Sequence, residues 1–156
     1  WPIIGWGGNA IRTIWVKRSS AESRKATRVE VRKRIEDDLS IIIFPEGTTH
    51  RGPDLLEYKM GMFKMCADGG FPICPIAMEY RHQDVSWVSD SKFIPHAFKV
   101  FGHRYIDVAV RFGKVQYGDD PVELRQRLRD WTAQNCLEMR AAFDAQEAEA
   151  QNRPGP

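Results

Sequence analysis

Apolar residues along this chain come in short blocks whose spacing changes from one block to the next. "AIRTIWVKR" (10–18) alternates loosely and is rich in β-branched side chains, which predicts a short strand ending in the cations Lys17 and Arg18. "SSAESRKATRVEVRKRIEDD" sets Ser19 and Glu22 at capping-box spacing and puts Ala26, Val29 and Ile35 on a narrow stripe, which predicts a helix over about 20–38. "SIIIF" (40–44) is an uninterrupted β-branched run, too short for a buried helix and suited to a strand covered on both faces. Strand, helix, strand is the pattern of a right-handed parallel crossover.

Further along, 45–54 reads as a loop and "LLEYKMGMFKMCAD" (55–68) as a helix closed by Gly69 and Gly70. "FPICPIAMEY" (71–80) is β-prone but holds Pro72 and Pro75, which cannot donate to a ladder. It is therefore expected at an edge, bulged, or lining a cavity. Residues 81–92 predict a loop, 92–102 a short helix or irregular apolar lid, and "YIDVAVRFG" (105–113) a strand. Asp119, Asp120 and Pro121 open a last helix, and the tail "QNRPGP" frays. The expected fold is α/β, a mainly parallel central sheet flanked by helices, with one domain over 1–150 and a flexible tail over 151–156.

Composition narrows the class without naming it. With 156 residues, 42% hydrophobic and 28% charged, the chain holds enough apolar surface for a single core. The net charge of +2 conceals an asymmetry: residues 11–34 carry nine Lys or Arg and two acids, whereas 119–150 carry eight acids and four arginines. An anionic partner is expected at the basic segment, against the plainer alternative of a solvated helix face. No nucleic-acid motif accompanies it and aromatic interleaving is poor, so nucleic acid is not an expected partner. Cys66, Cys74 and Cys136 form no C-x-x-C pair and are expected as reduced, buried thiols, with no zinc site or disulfide framework. The chain begins at Trp1 rather than methionine, so it is expected to start inside a longer protein. Its most apolar stretch, "WPIIGWGGNAIRTIWV", is interrupted by Arg12 and falls short of the ~20 residues of a spanning helix. Two early tryptophans beside a basic segment suit a membrane interface instead.

The candidate chemistry lies in "FPEGTTHRG" (44–52), where the isoleucine run stops in a small polar turn. Pro45 fixes the exit, Gly47 permits positive φ, and Thr48 and Thr49 add hydroxyls and amides suited to cradling an oxyanion or phosphate. Glu46 is awkward beside an anion unless a cation or substrate hydroxyl pairs with it, and Arg18 and Lys59 are the cations at hand. Composition alone favours an ordinary Asx-like turn with an exposed Glu.

The motifs resolve this choice. "FPEGTT" after an apolar run resembles the third motif of the glycerolipid acyltransferases typified by lysophosphatidate acyltransferase. "GGNAIRTIWVKRSS" is similar to that family's second motif, with Arg18 as its arginine. "YKMGMFKMC" resembles the segment that follows, through Lys59 and Gly61, and "FPICPIAM" the fourth motif, through Pro72 and Pro75. The resemblance covers residues 5–80 and is weak beyond 85. It implies transfer of a fatty acyl group from acyl-CoA or acyl carrier protein to a lysophospholipid hydroxyl at the cytoplasmic face of a membrane, without metal or redox cofactor. It further implies that Arg18 binds the acceptor phosphate, that Glu46 positions the glycerol, that Gly47 and Thr48 supply backbone donors, and that Pro72 and Pro75 shape the acyl path. Where many lysophosphatidate enzymes have arginine after "FPEGT", this chain has Thr49, with Arg51 two residues on. The alternative is a non-catalytic lipid-surface module whose basic helix binds anionic head groups.

The family's His-x-x-x-x-Asp motif, whose histidine is the catalytic base, is absent from these residues. Five positions after His50, His82, His96 and His103 stand Leu55, Trp87, Phe101 and Val108. Asp54 follows His50 by four, one short of the spacing, so His50 is expected as a loop residue. An amino-terminally truncated acyltransferase domain, inactive alone, is the expectation.

Overall fold

The computed structural model describes residues 2–16, 20–50, 52, 54–88 and 92–152. The chain divides into two compact units, 1–43 and 44–156.

In the first unit, α1 (Pro2–Ala10) is followed by irregular chain over 11–16 where a strand was expected. The chain folds back on the helix end: the Ile11 and Thr13 amides donate to the Gly7 and Gly8 carbonyls, and Arg12 takes φ 57°. The Trp15 indole donates to Asn9 Oδ1 at 2.8 Å and covers Gly8, where a Cβ would fall 2.5 Å from its ring. Lys17, Arg18 and Ser19 lie outside the described residues. Helix α2 (Ala21–Glu36) is where the pattern puts it, but its cap is Ser20 rather than Ser19. The Ser20 hydroxyl accepts from the Ser23 amide at 3.1 Å and donates to Glu22 at 2.8 Å. Its buried side chain is Val31, off the anticipated stripe, and Val29 is exposed.

Residues 40–44 enter no ladder, and Ile42 and Phe44 are 77% and 72% exposed. The expected parallel crossover is therefore not formed among the described residues. A β-branched run becomes a strand only where a neighbouring strand takes its amides and carbonyls, and among the described residues none does.

The second unit is organised by α5 (Pro121–Gln151), with Pro121 in its first turn. Asp120 accepts from the Val122 and Glu123 amides at 2.7 and 3.3 Å. Leu124, Leu128, Thr132, Asn135, Cys136, Met139 and Phe143 form its buried stripe. Against the first part pack Tyr58 and Phe63, with Leu55, Met60 and Ile73; against the later part pack Ala77 and Ala109, with Trp131 of α5 itself in the same cluster. Helix α3 (Met60–Gly69) ends on Gly70 in the left-handed region at φ 64°, as the Gly pair predicts. It starts five residues later than expected, because 55–59 are irregular, with Lys59 extended as the cap.

The sheet among the described residues has two antiparallel strands, β1 (Ile76–Tyr80) and β2 (Val108–Phe112), paired Ile76 to Phe112 through Tyr80 to Val108. This replaces the mainly parallel central sheet expected. The prolines act as their chemistry requires: the ladder begins after Pro75, and one bridge, Ile73 to Gln116, precedes it. Residues 74 and 75 there oppose 113–115, a one-residue bulge. Gly113 fits under Pro75 and Trp131, with a hypothetical Cβ only 2.7 and 2.9 Å from them. One face of the pair lies on α5 through Ala77, while Ile76, Met78, Val108, Val110 and Phe112 on the other are exposed. Arg140 joins α5 to the end of β1, donating to Glu79 and to the Tyr80 and Arg81 carbonyls. Arg81 pairs with Asp107 at 2.8 Å and lies over the Phe143 ring. Helix α4 (Phe93–Phe101) takes the helical option of 92–102. Cys66 and Cys136 are buried free thiols as expected, but Cys74 is exposed. Among the described residues no helix is long and apolar enough to cross a membrane, and no cluster of His, Cys, Asp or Glu could hold a metal.

Candidate functional site

The turn 44–47 begins with the Gly47 amide donating to the Phe44 carbonyl at 3.1 Å, and Gly47 has φ +73°. A side chain at 47 would be strained by that backbone conformation rather than by crowding, since the nearest atom to a hypothetical Cβ is Lys59 Cγ at 3.8 Å. Lys59 is brought there by its own amide, which donates to the Pro45 carbonyl at 2.8 Å. Pro45, Gly47 and Lys59 thus stand together, with Thr48, Thr49 and the Lys59 side chain exposed to an approaching ligand.

Glu46 turns inward. Its Oε2 accepts from the Leu56 amide at 2.9 Å and lies 3.2 Å from His50 Nδ1, with the carboxylate 19% exposed. His50 is a loop residue, as expected, and its other ring nitrogen meets the Asp54 carbonyl. Both partners of this imidazole are acceptors, so the ring serves each fully only when it donates from both nitrogens. The sequence reading missed this pairing; its signal was the i, i+4 spacing of Glu46 and His50.

A second missed feature holds the far side of the loop. Arg129 of α5 donates to the Leu55 and Leu56 carbonyls at 2.6 and 3.1 Å, and Arg125 to Glu57 and the Tyr58 carbonyl at 2.9 and 3.3 Å. These bonds consume the backbone acceptors that an earlier start of α3 would use, which explains why 55–59 stay out of the helix. Tyr58 is buried beneath; desolvation raises its phenol pKa, and the Glu46 carboxylate adds to the rise.

The geometry therefore gathers Pro45, Glu46, Gly47 and Lys59 around one turn and adds His50 to them. Pro72 is exposed and Pro75 buried at the bulge before β1. Arg18 and Arg51 lie outside the described residues.

A turn of this kind, with Lys59 beside a positive-φ glycine, has chemistry that can meet a small anionic group. The family model described as Acyltransferase matches residues 1–79, and the chain belongs to that family, in its glycerolipid branch. It is 26% identical over 101 residues to a lyso-ornithine lipid O-acyltransferase of Pseudomonas aeruginosa, covering 62% of this chain and 39% of that protein. It is 32% identical over 113 residues to the lysophospholipid acyltransferase LPEAT2 of Arabidopsis thaliana, covering 69% and 20% respectively. A 1-acyl-sn-glycerol-3-phosphate acyltransferase of Haemophilus influenzae is 36% identical over 74 residues, covering 47% and 31%. The chain thus spans two fifths or less of the length of these three relatives. No solved structure matches it at a significant level.

Proposed function

We propose that this chain is the acceptor-binding part of an enzyme that moves a fatty acyl group from acyl-CoA or acyl carrier protein to a lysophospholipid hydroxyl at a membrane's cytoplasmic face, lysophosphatidate being the preferred acceptor. The observation that carries the reading is the 44–47 turn: Gly47 at φ +73°, with Lys59 tied to Pro45 beside it, inside the region that the family matches. In this reading Arg18 and Lys59 offset the acceptor's phosphate charge, and the Thr48 amide donates to its oxygens, the Gly47 amide being held by the Phe44 carbonyl. The exposed hydroxyls of Thr48 and Thr49 supply further donors, and Glu46, held by Leu56 and His50, positions the glycerol. Pro72 and Pro75 line the path of the acyl chain.

The chemical step is direct transfer. A base removes the acceptor's hydroxyl proton, the oxygen attacks the thioester carbonyl, a C–O ester bond forms, and the C–S bond breaks to release a thiol that takes up the proton. No histidine of the chain has the spacing of the family's base, so these residues contribute binding and orientation, and no metal or redox cofactor enters.

Steady-state kinetics of an active protein that contains this chain test the assignment. Arg18→Ala raises the acceptor KM roughly tenfold to a hundredfold, the loss of one charge-assisted contact. Glu46→Ala lowers kcat by about a hundredfold or more. Unchanged constants for both variants would remove these residues from the site.

A further inference from the structure

Helix α4 is apolar on two sides. Its inner side, Phe93, His96, Ala97 and Val100, is half-buried. Phe93 meets the Trp87 ring edge-on at 5.6 Å, and His96 Nε2 lies 3.1 Å from the Val85 carbonyl. Lys99 anchors the same helix through Asp84 at 2.9 Å. A short helix docked in this way should present polar residues to water on its outer side. Instead Ile94, Phe98 and Phe101, spaced i, i+4 and i+7, are 51%, 74% and 82% exposed, and Tyr105 continues the line just beyond the helix end.

The charged residues on this segment itself have one sign. Residues 92–106, "KFIPHAFKVFGHRYI", contain Lys92, Lys99, Arg104 and two histidines but no acid. Lys92 and Arg104, both exposed, flank the stripe at its two ends. Aromatic side chains with cations at their border are the composition of a helix lying in the plane of a bilayer interface, its rings among the acyl chains and its cations among anionic head groups. Asp84 pairs with Lys99 and faces His103, and Asp107 pairs with Arg81 beyond Tyr105, so the border charge that favours an anionic bilayer over an apolar protein partner is that of Lys92 and Arg104.

We propose that the outer side of α4 is a lipid-docking surface, inserting Ile94, Phe98 and Phe101 into a membrane of anionic phospholipid. The idea deepens the proposed function, on which it rests for its purpose: an acceptor and donor that carry long acyl chains are met at a bilayer. It also differs from placing the membrane contact on the basic residues of α2, whose apolar content is low.

Vesicle flotation with the 156-residue chain is the test, because it reads binding without catalysis. The chain floats with vesicles of phosphatidylglycerol and phosphatidylcholine, and Phe98→Ser with Phe101→Ser reduces binding at least about tenfold with no change in thermal midpoint, both rings being outside the core. Lys92→Glu with Arg104→Glu weakens binding to phosphatidylglycerol vesicles and leaves the weak binding to pure phosphatidylcholine unchanged. Two outcomes would overturn the proposal: undiminished flotation of the Phe98 and Phe101 variant, or a dimer seen in solution that this variant abolishes while flotation persists. If acyl transfer by the parent protein were never found, flotation would still be read. If flotation failed while transfer to a water-soluble short-chain acceptor succeeded, the docking surface alone would fall.

Discussion

Glu46 is the residue on which the functional reading turns, and the structure gives it a second task. Its carboxylate accepts from the Leu56 amide and pairs with His50, so it closes the 46–56 loop whether or not a substrate is present. The two roles separate by substitution. Glu46→Gln keeps an oxygen for the Leu56 amide and should leave the urea midpoint nearly unchanged, whereas Glu46→Ala strands that donor and costs about 1 kcal/mol. If both variants unfold alike, the loop-closing role is wrong. At this scale the sequence was informative where chemistry is local. Gly47 permits close backbone approach or positive φ, and it has positive φ. The Glu46 and His50 pair was not legible in the His-x-x-x-x-Asp pattern, because this histidine serves the carboxylate four positions before it.

Elements were legible where a signal lies within the element itself. Helix α5 shows its stripe and its Asp–Pro start, α3 its terminal glycines, and the segment before β1 its prolines. The errors lie where partners far along the chain decide. "LLEYK" has the apolar spacing of a helix, but Arg125 and Arg129, about seventy residues on, take or engage its polar groups and keep it out of the helix. Likewise 40–44 has the composition of a central strand and meets no ladder partner among the described residues, a pairing that no local pattern specifies. The account of the strap is testable by itself: Arg129→Ala loses two backbone contacts and should cost about 1–3 kcal/mol by chemical denaturation. Amide exchange should quicken at 55–59 before it does in β1 and β2. Equal protection in the variant and the parent would show that the strap is held by something else.

For the molecule as a whole, stability should depend on pH in the alkaline direction. Burial raises the thiol pKa of Cys66 and Cys136 above their ordinary 9.0, and that of the Tyr58 phenol above 10.0. Groups raised in the folded state keep their protons while the unfolded chain loses them, so stability is full below the unfolded values and falls as pH rises through the folded ones. The thermal midpoint should therefore decline above pH 9, and less so in Cys66→Ala with Cys136→Ala; an unchanged slope in that variant would exonerate the thiols. The family was readable from four short motifs, because each depends on residue type at fixed spacing. The arrangement of strands was not, since parallel or antiparallel pairing is settled between distant segments.

The most direct measurement of the central claim is a nuclear magnetic resonance titration of the 156-residue chain with lysophosphatidate below its micellar concentration. The account predicts saturable shifts of the Gly47, Thr48, Thr49 and Lys59 amides, weakened roughly tenfold by Lys59→Ala. Lysophosphatidate binding that leaves those four amides unmoved would contradict it.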